Sequence, residues 1–231
     1  MPTPIEPANL SKIALFQGLT SNQLDWLKQQ LHQRVFPAGS NIAIIEQPGE
    51  VVYIVLNGTL KIFVQQRDGT EVILAILGPG DIVGEMSLVD SAGRSANVVT
   101  LERSILLWLD RATFQECLQS IPTVTYNLVQ IMSNRLRLAN EQIQSLATLD
   151  VYGRVARQLL AFAQQYGQTI NQSDILIPIR LTQSDISDLV GASRERINQV
   201  MVSYKRQKYL SVDRNYRITV HNKAALAERC R

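Results

Sequence analysis

Residues 84–96 read GEMSLVDSAGRSA. A glycine precedes an acid, a short apolar run follows, and an arginine stands nine residues past the acid with two small residues after it. Two readings compete for that pattern. In one, Glu85 and Arg94 form an incidental surface ion pair across a hairpin loop, worth about 0 to 1 kcal/mol. In the other, they line a pocket for an anion that also carries hydroxyls. Buried without a ligand, two such charges would be a costly arrangement in a merely structural hairpin, and that cost favours the pocket.

The sequence before the loop has the rhythm of an all-β roll. Nine of the twelve glycines lie before residue 95, and from Gly39 onward they interrupt short apolar stretches about every ten residues. Strands are expected in GSNIAII (39–45), EVVYIVLNG (50–58), TLKIFVQQRDG (59–69) and TEVILAILG (70–78). Each is rich in β-branched or aromatic residues and ends in turn chemistry. Asp68-Gly69 is the best hairpin signal. Past the loop, NVVTLERSILLWLD (97–110) gives two more strands, for a roll of about eight, and Ala112–Gln119 reads as a short helix stopped by Pro122. Ahead of the roll, Leu24, Leu27 and Leu31 at helical spacing behind Thr20 or Ser21 predict a small helix packed on it.

From Thr123 to about Leu149 the period changes. Val129, Met132, Leu136, Ala139, Ile143 and Leu146 alternate three and four residues apart with neither Pro nor Gly between them. The flanking Asn134, Arg137, Glu141 and Gln144 are polar, so the apolar stripe is narrow. A seam of that kind wants a partner helix, and a symmetric homodimer contact is expected here.

The third segment, LTQSDISDLVGASRERINQVMVSYKRQKYL (181–210), reads as helix, turn, helix. Thr182 with Asp185 three residues later is a capping box, VGAS is the turn, and Ser193 caps the second helix. Ile186, Leu189, Val190, Ile197, Val200, Met201 and Tyr204 supply facing apolar sides, so Arg194, Glu195, Asn198 and Gln199 project the other way, with Arg196 beside them. SVDRNYRITV (211–220) then reads as two short strands around Arg214-Asn215-Tyr216, a small wing. In a DNA complex, Lys205, Arg206, Lys208, Thr182, Gln183 and Ser193 would meet phosphates. Arg194 suits guanine, Glu195 suits cytosine and Gln199 suits adenine.

Charge follows the same division. Residues 1–147 hold ten Lys and Arg against thirteen Asp and Glu, whereas residues 148–231 hold thirteen against seven, a basic third suited to an acidic partner. Cys117 and Cys230, with His32 and His221, are too few for a disulfide framework or a Cys/His metal site. Apolar runs are only a few residues long and MPTPIEPANLSK has no export pattern, so no membrane association and a cytoplasmic location are expected.

The order of roll, GEMSLVDSAGRSA loop, heptad helix, TLDVYGRVARQLLAFA connector (148–163), helix-turn-helix and wing resembles the cyclic-AMP receptor protein family of bacterial transcription regulators. The resemblance spans about residues 15–220, and its most specific pieces are the loop and LVGASRERINQV (189–200). It implies an α+β fold with a cyclic-nucleotide-binding roll (1–122), a dimerisation helix (123–149) and a winged helix-turn-helix (150–231). It also implies a homodimer on a palindromic duplex, with recognition helices about 34 Å apart, and RNA polymerase as a further candidate partner.

In that family Glu85 would take the ribose 2′-hydroxyl and Arg94 the cyclic phosphate, with Gly84, Met86, Ser87, Ser95 and Ala96 completing the loop. A monoanionic phosphodiester suits a guanidinium fork plus backbone N–H groups, and small residues let the backbone approach. Arg135 stands where the family has an arginine beside the nucleotide. Ala139 and Asn140 replace the hydroxyl residues that grip adenine, and Ala139 cannot hydrogen-bond whereas Asn140 can donate and accept. Cyclic AMP is thus the leading allosteric ligand, with cyclic GMP as its competitor. On the second helix Gln199 replaces an arginine, so an altered base preference is expected there.

Other readings stay open. A regulator of this fold can answer another metabolite or none, although the iron–sulfur and haem varieties need ligands this chain hardly supplies. A cyclic-nucleotide-dependent enzyme would need a nucleophile and base, or a Gly-Lys phosphate loop, and neither accompanies the roll. A nucleotide-binding interaction protein would use the helix-turn-helix for protein contacts.

Overall fold

The computed structural model describes residues 10–230 apart from Gln172. The opening MPTPIEPAN, with its expected lack of an export pattern, lies outside the described residues. Compactness divides the chain into two units, Met1–Val64 with Ala75–Arg137, and Gln65–Leu74 with Leu138–Arg231.

In the first unit a 3-10 turn (Ala14–Phe16) leads to α1 (Ser21–Gln30). Thr20 is its cap: the Thr20 Oγ1 accepts from Gln23 N and the Gln23 side chain accepts from Thr20 N, a reciprocal capping box. The roll follows as β1 (His32–Phe36), β2 (Asn41–Ala43), β3 (Val51–Asn57), β4 (Leu60–Gln65), β5 (Glu71–Leu77), β6 (Ile82–Val83), α2 (Met86–Val89), β7 (Asn97–Thr100), β8 (Ser104–Asp110) and α3 (Arg111–Ser120). Its two sheets run β1-β8-β3-β6 and β2-β7-β4-β5.

The near-continuous apolar run of β8 is explained by burial on both faces. Leu106 belongs with Val55, Leu60 and Val98 in the cluster inside the roll, while Leu107 and Leu109 join Leu24, Leu27 and Phe114 beneath the helices. Successive side chains point to opposite faces, so both faces need apolar residues.

Sequence reasoning passes over β1, β6 and α2. The HQRVF of β1 has only Phe36 buried, and it is held by register against β8, where His32 stacks on Trp108 with ring centroids 4.3 Å apart. Two-residue β6 is too short to have a period. Pro122, expected to stop a helix, also begins the next one, α4 (Pro122–Thr148), at a position where its missing N–H has no intrahelical partner to lose.

The second unit contains Gln65–Leu74, which includes the first four residues of β5, and the far end of α4, then α5 (Val151–Tyr166), β9 (Gln168–Thr169), β10 (Ile175–Ile177), α6 (Gln183–Val190), α7 (Arg194–Arg206), β11 (Leu210–Val212), β12 (Ile218–Val220) and α8 (Lys223–Glu228). Asp150 caps α5 by accepting from Gly153 N at 2.8 Å, which separates it from α4. The wing is larger than the expected hairpin. β12 pairs with β10 as well as β11, giving a sheet in the order β11-β12-β10-β9. All seven residues expected between α6 and α7 are buried.

Candidate ligand pocket and nucleic-acid interface

Glu85 and Arg94 are both buried, at 3% and 9% exposure. They do not pair with each other. Arg94 donates from Nη1 to Gly84 O (2.8 Å) and Ser87 Oγ (2.9 Å), and from Nη2 to Val51 O (2.6 Å). Glu85 Oε1 instead accepts from Arg135 Nη1 of α4 at 2.7 Å, and Arg135 also donates to Ile82 O. Glu85 Oε2 is buried and has no hydrogen-bond partner among the described residues. A buried acceptor left so carries the desolvation cost of an unmade hydrogen bond, about 1 to 3 kcal/mol.

The backbone is shaped around the guanidinium. Gly84 has φ of +91°, and a Cβ there would press on Arg94 Nη1 and come within 3.0 Å of Val51 O. A Cβ on Gly49 would come within 2.7 Å of Ser87 Cβ and 3.2 Å of Arg94 Cζ. Gly84 leaves room for the Arg94 guanidinium, and Gly49 leaves room chiefly for Ser87, with Arg94 behind it. Arg111 fastens the walls by donating from Nη2 to Gly49 O (2.6 Å) and Ser87 O (3.1 Å), with its Nε 3.5 Å from Glu50.

Gly49 and Arg111 are the site residues that sequence reasoning misses. They meet because β3 pairs with β8 in a register that sets Val51 opposite Asp110. Burial holds the Arg94 guanidinium below its ordinary pKa, with Tyr53 and Glu85 opposing that effect and Arg111 adding to it. Around this cluster three guanidiniums (Arg94, Arg111, Arg135) meet two carboxylates (Glu50, Glu85), an excess of one positive charge that suits a monoanion.

The rest of the loop is divided. Ser87 and Ala96 are buried, while Met86 and Ser95 are exposed. Ala139 and Asn140 are exposed on α4, in the second unit. Beside Glu85, a groove of about 340 Å³ is lined by Val89, Leu128, Val129, Met132, Ser133 and Leu136. Along α4, Val129 (57%), Leu136 (64%), Ile143 (66%) and Leu146 (45%) are exposed, as is Ala139, whereas Met132 packs against the roll's helix-covered core.

In the second unit Thr182 and Asp185 form the reciprocal box, with Asp185 Oδ2 accepting from Thr182 N (2.8 Å) and Oγ1 (2.6 Å). Gly191 at φ +64° ends α6, and Ser193 Oγ caps α7 by accepting from Arg196 N at 3.2 Å. Arg194, Glu195, Arg196, Asn198 and Gln199 are all exposed on α7. Two of the contacts there are internal: Gln183 Nε2 donates to Asn198 Oδ1 (3.3 Å), and Arg196 Nη1 donates to Gln199 Oε1 (3.0 Å).

A roll with a buried Glu85 and Arg94, a long helix and a capped helix-turn-helix together define a DNA-binding transcription regulator. Residues 33–121 match the family model of the cyclic nucleotide-binding domain and residues 153–229 that of the Crp-like helix-turn-helix domain. The CRP-like cAMP-activated global transcriptional regulator of Mycobacterium tuberculosis is 31% identical over 222 residues, covering 96% of this chain and 98% of that protein. The cyclic AMP receptor protein of Thermus thermophilus is 32% identical over 187 residues, covering 81% and 83%. Among solved structures, the catabolite activator protein of Thermus thermophilus (28% identity, TM-score 0.52) covers 94% of this chain and 98% of its own. FixK2 of Bradyrhizobium japonicum (20% identity, TM-score 0.75; 86% and 96% covered) shares the fold. The chain belongs to the cyclic-AMP receptor protein family of transcription regulators.

Proposed function

We propose that the protein is a homodimeric transcription regulator whose DNA affinity is set by a cyclic nucleotide, with cyclic AMP the first candidate, bound at Glu85 and Arg94. The observation that carries this reading is Glu85 Oε2, a buried carboxylate oxygen without a donor in a site with one excess positive charge. A ribose 2′-hydroxyl supplies the donor and a cyclic phosphodiester supplies the anion. The relatives in Mycobacterium tuberculosis and Thermus thermophilus bear names that refer to cyclic AMP, which supports the same choice.

Replacing Arg94 by Ala is not a clean test, because it would strip the Nη2 donor from Val51 O and the Nη1 donor from Gly84 O and Ser87 Oγ, leaving Gly84 O only the Ser87 hydroxyl. Each buried acceptor so orphaned costs about 1 to 3 kcal/mol. Loss of response in that variant would therefore be ambiguous, and Glu85 is the cleaner handle.

The dimer reading rests on the stripe Val129, Leu136 and Ile143, spaced seven residues apart and more than half exposed in the protomer. DNA would be a palindromic duplex, with Arg194, Glu195 and Gln199 reading bases. Coupling would run along α4, which carries Arg135 at its middle and meets the helix-turn-helix near its C-terminal end. There Gln142 Nε2 donates to Leu189 O (3.0 Å), and Arg154 donates to Leu149 O (3.0 Å), Leu146 O (3.2 Å) and Val190 O (3.5 Å). These bonds tie the end of α4 to the end of α6. The nucleotide acts only through its difference in affinity between two arrangements of that assembly.

Calorimetric titration with cyclic AMP and cyclic GMP, together with gel shifts at two salt concentrations with and without nucleotide, tests the proposal. One site per protomer and nucleotide-dependent retardation are expected. Binding of neither nucleotide would remove the effector reading and favour a regulator of this family that answers something else. The exchange at Ala139 and Asn140 makes the cyclic GMP arm informative, because Asn140 can both donate to and accept from a purine edge.

A further inference from the structure

The wing tip and the first turn of α6 are joined by contacts that sequence spacing does not reveal. Leu181 N donates to Tyr216 O at 3.0 Å, and the Arg180 guanidinium carbon lies 5.0 Å from the centroid of the Tyr216 ring. On its other side, Arg180 Nη1 is 3.9 Å from Asp185 Oδ2, the carboxylate that also completes the Thr182 capping box. Tyr216 has φ of +60°, a left-handed conformation that a bulky residue adopts only when its surroundings require it. The turn imposes that conformation: Asp213 Oδ1 accepts from Asn215 N and Arg217 N, both at 2.8 Å, and Asp213 O accepts from Tyr216 N at 3.2 Å.

A glycine would adopt this conformation without strain, so the ring of Tyr216 has to contribute something else. What it contributes is a flat face for Arg180, on a residue that is itself 48% exposed. The array continues from Thr182 to its neighbour Gln183, whose side chain reaches Asn198 on α7 at 3.3 Å. Wing tip, first turn of α6 and recognition helix are thus linked by one chain of polar contacts within the second unit. The Arg180 guanidinium lies between a ring on one side and a carboxylate beyond hydrogen-bond length on the other.

We infer that Arg180 is a DNA-phosphate ligand and that Tyr216 is its positioning residue, so that the wing and the helix-turn-helix engage the duplex in one register. This rests on the DNA-binding reading of the second unit. A cation held by stacking keeps its charge and gives up little rotamer freedom when it meets a phosphate, which is what distinguishes Arg180 from the unsupported cations Lys205 and Lys208, both exposed. Contact with backbone rather than bases is assigned because Arg180 precedes α6 and is not one of the recognition-helix side chains suited to bases.

The test measures binding of full-length protein, with cyclic AMP present, to a duplex selected by the wild type from a random pool and to an unselected duplex of equal length. Anisotropy titrations would run from 50 to 200 mM KCl. Arg180→Ala should lower the slope of log K against log salt by about 0.9 for each engaged subunit, a relative effect of about 3.5-fold across that range for each, equally on both duplexes. Tyr216→Phe should bind as the wild type. Tyr216→Gly, which removes both the ring and the left-handed strain, should keep or raise thermal stability yet weaken binding to both duplexes. An Arg180→Ala variant with wild-type slope and affinity would overturn the inference, as would a Tyr216→Gly variant that binds normally. Failure of the wild type to bind any duplex would instead strike at the DNA-binding reading itself.

Discussion

Replacing Glu85 by Gln changes one atom of the site and separates its two jobs. The amide keeps an oxygen able to accept from Arg135, now at 2.7 Å from Glu85 Oε1, and turns the unpartnered Oε2 into an N–H₂ group. A ribose hydroxyl that donates to the carboxylate would lose a charge-assisted hydrogen bond. Such bonds are worth about 1.5 to 3 kcal/mol, or about 10- to 140-fold in affinity.

Because the orphaned oxygen is already present in the wild type, the unliganded protein should not melt much lower than the parent. The assay is calorimetry on both proteins with cyclic AMP and with 2′-deoxy cyclic AMP. The wild type should lose its 10- to 140-fold with the deoxy ligand, about the range expected from the charged bond, and the Gln variant should scarcely tell the two ligands apart. The cycle closes only if hydroxyl and carboxylate touch. Equal binding of both ligands by the wild type, or an equal penalty from the substitution for both, would refute the assignment of Glu85 Oε2 to the sugar.

Leu136→Arg should leave the protomer's stability within about 0.5 kcal/mol, since the side chain is 64% exposed, while converting a dimer to monomer in sedimentation equilibrium. Thr182→Ala should cost about 2 kcal/mol in urea unfolding, the upper end for a cap, because Asp185 loses the 2.6 Å donor from Thr182 Oγ1 as well. Cys117 is 1% exposed and burial pushes its thiol up to about 12, so at pH 8 a thiol reagent should find no more than one reactive cysteine until the protein unfolds. The unfolded thiol ionises near 9.0 and the folded one near 12, so the unfolded state sheds the proton first. The Cys117 contribution to stability should therefore fall as pH rises from 9.0 toward 12, measurable by denaturation against a Cys117→Ala control.

Much of the fold is legible because local rules and burial agree. The cap at Thr20, one of the two residues the spacing allows, the capping box at Thr182, the cap at Ser193 and the apolar faces of α6 and α7 stand where spacing places them. The strand β1 is not legible, because HQRVF is polar and is held by its pairing with β8 rather than by alternation. The strands β9 and β10 escape notice for a similar reason, being two and three residues long and joined to the wing only in three dimensions. At the candidate site, sequence marks Glu85 and Arg94 but leaves open whether they pair with each other or line a pocket. The structure gives Glu85 to Arg135 and gives Arg94 to backbone carbonyls, and the partners responsible, Val51, Gly49 and Arg111, are brought in by strand register.

That division bears on how a ligand could act. If Glu85 and Arg94 had neutralised each other, a nucleotide would have to break a buried ion pair before binding, at the cost of exposing two unpaired charges. Instead Arg94 is already held by Gly84 O, Ser87 Oγ and Val51 O, so its charge is fixed in place while remaining uncompensated by a direct carboxylate contact. Glu85 is tied to the long helix through Arg135, and that is the bond a ligand hydroxyl or phosphate would compete with or join. The anchoring residue and the transmitting residue are thus different ones. Substitutions at Arg94 should act on ligand binding and on the stability of the roll together, whereas substitutions at Arg135 should act on whether the helix responds, a separation that a single salt-bridged pair could not provide.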